Sequence, residues 1–567
     1  MARSTRPVPL WSALLCGGAV LIAAPALAQV QIEEALTEPV ATATAGDGGV
    51  PSDVTIGTGG SITIETEGPA LTLNSDNVLN NQGQIAINNV DNATGVLLEG
   101  GANRNYAQTG TIRIVEDFDE ANTDDDPLAD TPFASGTGRT GILVSGASPF
   151  EGNITLDQTS DIIVEGNNSY AINLANTPVG AGLDGDLVMD GAIRLTGDDG
   201  AGVRIGSDVT GNVSHGGSLE VLGRRSAAFD IGADIGGGFS NTGAISTNGF
   251  RFVSRAPFNP DSAADRLDLD ADDLGNAGPA IRVSGNIARG INLTNRTETQ
   301  QDADGNDVEV VTGTSSINQF GSAPAILIDG DGTPISIGTV SPVTDPNDPD
   351  FDADLLYAFV NVGSLTASGV YDEFDSTGLS VSDATLDGGI FNSGSMRVQT
   401  FIGAEFRPIE NVDLGTGLAR VIVLGDNAIA ERLNNSGVII ATASEAVDEV
   451  YFDADNIPAP RPVFATAIDI GVNASMETLI NDGTLSAVLI GRQGTAVAVQ
   501  DASGTLRTIT NRGAITATGR NSDSSNLQDT DFTLIALDLS ANTSGVTLLQ
   551  ELAEDTDPDD GISPIAP

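Results

Sequence analysis

The chain has 567 residues with 24 arginines, no lysine, 78 acidic residues and one histidine, for a formal charge of −54. Such a surface repels nucleic acid and anionic membranes, so no nucleic-acid partner is expected, and it attracts divalent cations. Sixty-eight glycines, 4% aromatics and many Val, Ile, Thr and Ala residues point to many short strands joined by tight turns, with almost no helical periodicity.

Arg3 and Arg6 precede an apolar run from Leu10 to Ala24, and "APALA" follows. This is the layout of a secretory signal peptide over residues 1–28, with cleavage between Ala28 and Gln29. The run is too short to span a bilayer comfortably, which argues against an anchor. The only cysteine, Cys16, lies in this leader, so the exported chain carries no thiol and no disulfide framework. Loss of the leader leaves 22 Arg against 78 acids, a balance of −56. Residues 29–52 read as a linker, 53–548 as the repeated domain and 549–567 as an acidic end that looks like a cut-off coil.

The repeat is written as apolar, Asn, any residue, Gly, any residue, apolar: "LNNQGQIAI", "FSNTGAISTNG", "IFNSGSMRV", "LNNSGVIIAT", "LINDGTLSAV" and "ITNRGAITATG". Its marker glycines are Gly83, Gly110, Gly191, Gly217, Gly243, Gly321, Gly363, Gly394, Gly437, Gly483 and Gly513. The shortest spacings are 26 residues (191 to 217 and 217 to 243). Longer gaps hold acidic, Pro-containing stretches such as "VEDFDEANTDDDPLADTP", "NPDSAADRLDLDADD", "QQDADGNDVE", "DPNDPDFDAD" and "EAVDEVYFDADNIPAP". Without strand alternation, they read as solvated loops inserted into a constant unit.

Each unit holds three strands. The first, as in "AGVRIG" and "AAFDIG", points an apolar pair inward and a charge outward. A short strand such as "DVTGNV" or "DIGGGF" comes next, then the Asn-x-Gly turn and a strand such as "SLEV" or "AIST". Three short strands and three turns make one coil of an all-β, right-handed parallel β-helix, a solenoid with acidic loop insertions. About a dozen coils must stack, because one coil alone has open edges and half a core. Asn and Gly are expected at the corner because they tolerate left-handed backbone, with Asn side chains bonded along a ladder.

The leader, "EPVATATAGDGGVPSDVTIGTGGSITI", "NNQGQIAINNVDNATGVLLEGG" and the recurring coils together resemble the passenger region of autotransporter proteins, most similar to the acidic, Lys-poor passengers of sphingomonad-type proteobacteria. The resemblance implies export to the outer membrane, cell surface or medium through a β-barrel translocator. It also implies an adhesive or structural role toward a surface ligand. No closing series of amphipathic barrel strands is present before "ELAEDTDPDDGISPIAP", so the barrel is expected in a further C-terminal segment or a separate chain.

Three motifs bear on chemistry. "GDDG" (Asp198, Asp199) and "SHGG" (His215) are similar to the paired aspartates and Gly-flanked histidine of β-helical pectin hydrolases. The basic pair that family needs is missing, and "DDG" between strands is a common turn, so no catalytic residue is assigned. "DADGND" places oxygen ligands at Asp302, Asp304, Asn306 and Asp307 as a calcium loop would, although Gly313 stands where an EF-hand needs Glu. "GAGLDGDL" at Gly180 echoes a calcium-binding nonapeptide but occurs once. Calcium is therefore the only cofactor considered, a β-helical polysaccharide hydrolase or lyase the second reading, and a calcium-bridged surface-layer component the third.

Overall fold

The computed structural model describes residues 29–118, 132–175, 182–251, 253, 271, 273–301, 307–341, 356–403, 412, 414–446, 459–521 and 530–551. The leader expected over 1–28 lies outside them, as does the acidic end beyond 551. Within them the chain folds as a parallel β-helix. Three long parallel sheets run along it, with 17 strands in sheet A and 14 each in sheets B and C.

The unit is clearest at residues 201–231. Ala201–Ile205 lies in sheet C, Val213–His215 in sheet A and Ser218–Leu222 in sheet B, before Ala227–Ile231 returns to sheet C. There Val203 stacks on Phe229 and Ile205 on Ile231, both 26 residues on. The inward series of all three strands, Val203, Ile205, Val213, Leu219 and Val221, is buried, while Arg204 and Glu220 point outward. The two-residue period of a strand thus becomes one apolar core shared by stacked layers.

Residues 29–52 form the first coil rather than a linker. Gln29–Ile32 pairs in register with Asp53–Ile56, and Ala35–Leu36 and Val40–Ala41 pair with the next layer in sheets B and C. Their small, polar composition hid strands of two residues from a search for alternation.

All the marker glycines except Gly321 sit at the A–B corner, but not for the reason expected. Among the markers only Gly321 has a left-handed φ, +111°. At the others the chain comes too close to the layer before it: a Cβ on Gly217 would stand 1.9 Å from the Gly191 carbonyl oxygen, and one on Gly437 would stand 2.1 Å from that of Gly394. Gly83, Gly110, Gly243, Gly363, Gly394, Gly483 and Gly513 meet a backbone carbonyl oxygen in the same way, and Gly191 meets the Ser160 hydroxyl. The left-handed corner lies one strand later, between sheets B and C, at Asn168, Asp199 and Arg225 with φ of 49°, 59° and 56°.

Gly321 is not a member of this series. Its place is held by Ser315, which stacks beneath Gly363 and accepts from the Asn241 side chain. The displacement comes from an insertion at the corner itself, where Asn295–Gln301 and Asp307–Thr314 pair antiparallel as an exposed hairpin. The stretch expected as a strand-free loop therefore has stem strands.

Candidate functional site

At the A–B corner the Asn side chains turn inward and link layer to layer. Asn361 Nδ2 donates to Asn392 Oδ1 (2.7 Å), Asn392 to Asn435 (2.7 Å), Asn435 to Asn481 (2.8 Å), Asn481 to Asn511 (2.7 Å) and Asn511 to Gln550 (3.2 Å). The first five are buried. In the earlier layers the same position holds Leu156, Met189, His215, Asn241 and Leu293. His215, the only histidine, is therefore a rung of this ladder. It is 1% exposed, its Nδ1 lies 2.7 Å from Asn241 Oδ1, and its ring packs in a T-shaped arrangement with Phe229, the ring centroids 5.7 Å apart. Burial pulls its pKa below the ordinary imidazole value, against the smaller opposing effects of Asn241 and Asp190, and keeps the ring neutral.

Asp198 and Asp199 do not join it. They occupy the B–C corner, where Asp198 Oδ1 accepts the Arg224 N–H at 2.7 Å and Asp199 pairs with Arg225 one layer on at 2.5 Å. The Arg225 side chain, hydrogen-bonded and oppositely charged, holds the Asp199 carboxyl below its usual range. Asn167 Oδ1 accepts the Asp198 N–H in turn, so this corner has its own Asx ladder. The C–A corner repeats the device: Asp186 accepts from Asn212 N–H at 2.7 Å, Asp208 from Asp234, and Asp234 from Asn286. Short side-chain acceptors here satisfy N–H groups that the sheets leave free.

Of the calcium candidates, Asp302, Asp304 and Asn306 lie outside the described residues. Asp307 opens the second hairpin strand, exposed, with Oδ1 3.4 Å from Gln301 Nε2. In "GAGLDGDL", Asp184 accepts from the Thr210 hydroxyl and Asp186 from Asn212, both as coil-to-coil links. Among the described residues, no three His, Cys, Asp or Glu side chains gather as metal ligands.

Two charged clusters at the B–C corner were not read from the sequence. Arg139, 2% exposed, bonds Glu116 at 2.9 Å and the Glu165 carbonyl oxygen at 2.6 Å. Burial would raise the Glu116 pKa, but N–H bonds from Ser135 and Gly136 and the Arg139 charge together bring it below the usual range. Farther along, Arg492 and Glu445 are fully buried, with Arg492 Nε 3.1 Å from Glu445 Oε2. Arg461 links Glu445 to Glu373 through its N–H and its guanidinium. The signal for Glu445 was present: in Val438–Ala446 it falls on the inward series of Ile439, Ala441 and Ala443. These pairs hold the stems of insertions that leave the coil between sheets B and C, after Thr111–Val115, Ser395–Gly403 and Val438–Ala446.

A groove of about 560 Å³ runs along the A–B corner of the N-terminal coils, bounded by hydroxyl, amide and glycine groups. Neither carboxylate, imidazole nor aromatic ring lines it.

No protein-family model matches the chain, and neither the curated proteins nor the solved structures contain a match to it.

Proposed function

We propose that the chain is a non-catalytic scaffold, exported by its leader and displayed or released as an autotransporter-type passenger, with an adhesive or structural role. One observation supports the non-catalytic part: the residues of the hydrolase-like motif are drawn into coil stacking at different corners, with His215 buried and bonded through Nδ1 in the A–B ladder and Asp198 and Asp199 bonded to the next layer at the B–C corner. A glycosidase needs two carboxyls facing one another across a substrate cleft, with one free to hold a proton. Export through an outer-membrane β-barrel partner rests on the resemblance of the leader and coils, and on a cysteine-free exported chain.

The test takes the exported protein. Its amino terminus is expected at Gln29, and incubation with polygalacturonate, xylan and β-glucan is expected to release neither reducing ends nor unsaturated products. Product release that disappears in an Asp198→Asn, Asp199→Asn, His215→Asn triple variant would establish the enzyme reading instead.

A further inference from the structure

We propose that the groove at the A–B corner of the N-terminal coils binds a neutral, extended polysaccharide, with sugar hydroxyls meeting successive layers of the solenoid. Its floor is backbone, because Gly83 and Gly110 can carry no side chain there: a Cβ would stand 2.3 Å and 2.1 Å from the carbonyl oxygens of Gly60 and Gly83. Its walls are the side chains of Thr58, Ser61, Gln82, Gln84 and Thr111. Among the described residues none of these five has a side-chain hydrogen-bond partner, and Thr58, Gln82 and Gln84 are exposed while Ser61 and Thr111 are half-buried. Thr109 and Thr159, at the same groove, are instead bonded, Thr109 to the Asn81 carbonyl oxygen and Thr159 to the Thr109 carbonyl oxygen and the Asp157 carboxylate.

The chemistry of the lining selects the ligand. In a chain with 78 acidic residues no residue lining the groove is charged, and the Asp157 carboxylate near its rim is bonded to Thr159, so the groove offers no compensation to an anion. The floor's backbone is already committed: Thr111 N–H donates to Gly83 O at 2.8 Å, and Gln84 N–H donates to Gly60 O at 3.2 Å. A peptide would therefore find no strand edge to extend, and the lining offers no apolar pocket for its side chains. Hydroxyl and amide groups repeated at the strand spacing of about 4.8 Å suit a ligand with hydroxyls at a similar step, as in an extended chain of pyranose rings. The volume lies within the range of ligand grooves, roughly 300 to 1,000 Å³.

Farther along, the same corner is occupied by the protein itself. The stem of the 295–314 hairpin crosses it, with Arg296 Nη1 3.2 Å from a Cβ placed on Gly216 and Thr242 O 3.1 Å from one placed on Gly313. Near the C-terminal end the Arg512–Asp482 ion pair flanks it. The N-terminal coils are thus an uncharged stretch of this corner that neither the hairpin nor the ion pair covers. This proposal adds a ligand to the scaffold reading without resting on it, since binding and hydrolysis are measured separately.

Affinity electrophoresis of the full exported chain through native gels containing hydroxyethylcellulose, glucomannan or polygalacturonate tests it. Retardation by at least one of the two neutral polymers is expected, and little by the anionic one. The Gln82→Ala, Gln84→Ala, Thr111→Val variant should raise the apparent Kd at least about tenfold, as loss of several hydrogen bonds implies. Its unfolding midpoint should stay that of the wild type. Thr58→Val with Ser61→Ala should weaken binding by less, and Gln399→Ala on a distant part of sheet B should leave it unchanged. Absence of retardation by both neutral polymers, equal retardation by polygalacturonate, or full binding by the groove variants would overturn the proposal.

Discussion

The layers from Asn361 to Asn511 and those from Leu156 to Leu293 share one fold and one corner, yet are joined by different means. In the former, five consecutive asparagines pass a side-chain hydrogen bond from layer to layer, and a fully buried Arg492–Glu445 pair stands beside the strands. In the latter, Leu156 and Met189 fill the same rung with apolar volume, and the polar run is short, with His215 bonded to Asn241 and Asn241 to the Ser315 hydroxyl while Leu293 takes the next rung. Strands follow suit: sheet B has nine residues at Ser395–Gly403 and Val438–Ala446 but five at Ala192–Thr196 and Ser218–Leu222. A ladder that is satisfied only as a whole specifies register and breaks sharply, whereas apolar rungs tolerate exchange.

The buried ion pair offers the largest contrast. Arg492→Ala strips the buried Glu445 of its guanidinium, leaving it the backbone N–H groups of residues 461 and 492, and should cost about 3 to 5 kcal/mol, read as a lower denaturant midpoint for the C-terminal layers. Replacing both partners, as Arg492→Leu with Glu445→Met, should recover most of that loss. A single variant as stable as wild type would show that solvent reaches the pair.

Breaking the ladder should matter less. Asn435→Leu removes the acceptor of Asn392 Nδ2 and the donor to Asn481 Oδ1. Leaving those buried groups unmatched should cost roughly 1 to 3 kcal/mol. Met189→Leu, an exchange of similar volume at an apolar rung, should stay below about 1.5 kcal/mol. Equal costs would erase the distinction between the two regions.

The smallest effect depends on pH. Burial depresses the His215 pKa in the folded chain below its ordinary 6.5. The unfolded chain therefore binds the proton more readily, so the neutral-ring contribution is complete above about pH 6.5 and is lost as pH falls toward the folded value. The loss can reach about 1.4 kcal/mol per pH unit in that window. His215→Asn should remove this component from the stability profile of the Leu156–Leu293 region, leaving the carboxylate component unchanged. Identical profiles for the two proteins between pH 7 and 5 would mean that the ring is solvated.

Much of this architecture could be read in advance because a stacked coil repeats its constraints. Ten of the marker glycines were found from spacing, and the inward series of strands such as Ala201–Ile205 from alternation. The physical reason at the corner was not legible: nothing in "NxG" distinguishes a left-handed residue from one pressed against a carbonyl oxygen in another layer, as Gly437 is against Gly394. Ser315 escaped notice because a hairpin separates it from Thr294, its neighbour across the corner, with Ser315 N–H donating to Thr294 O at 3.2 Å. His215 resembled a reactive group because a sequence does not say which residues share a rung. The groove, made of side chains from several layers around bare glycines, likewise has no local motif.

The central claim is that a 26-residue coil is the unit of stacking, and deletion tests it most directly. Removing residues 192–217 joins Gly191 to Ser218, and since Ala192 pairs with Ser218 and Ile193 with Leu219, every later residue keeps its sheet and its face. Removing only residues 192–204 joins Gly191 to Ile205 and puts Ile205 and Val213 out of phase with the core, at about 1.5 to 3 kcal/mol for each misplaced side chain. Denaturant unfolding followed by circular dichroism should show a cooperative β-type transition for the 26-residue deletion and aggregation or a broad, early transition for the shorter one. Equal tolerance of both deletions, or equal failure, would contradict the coil as the structural unit.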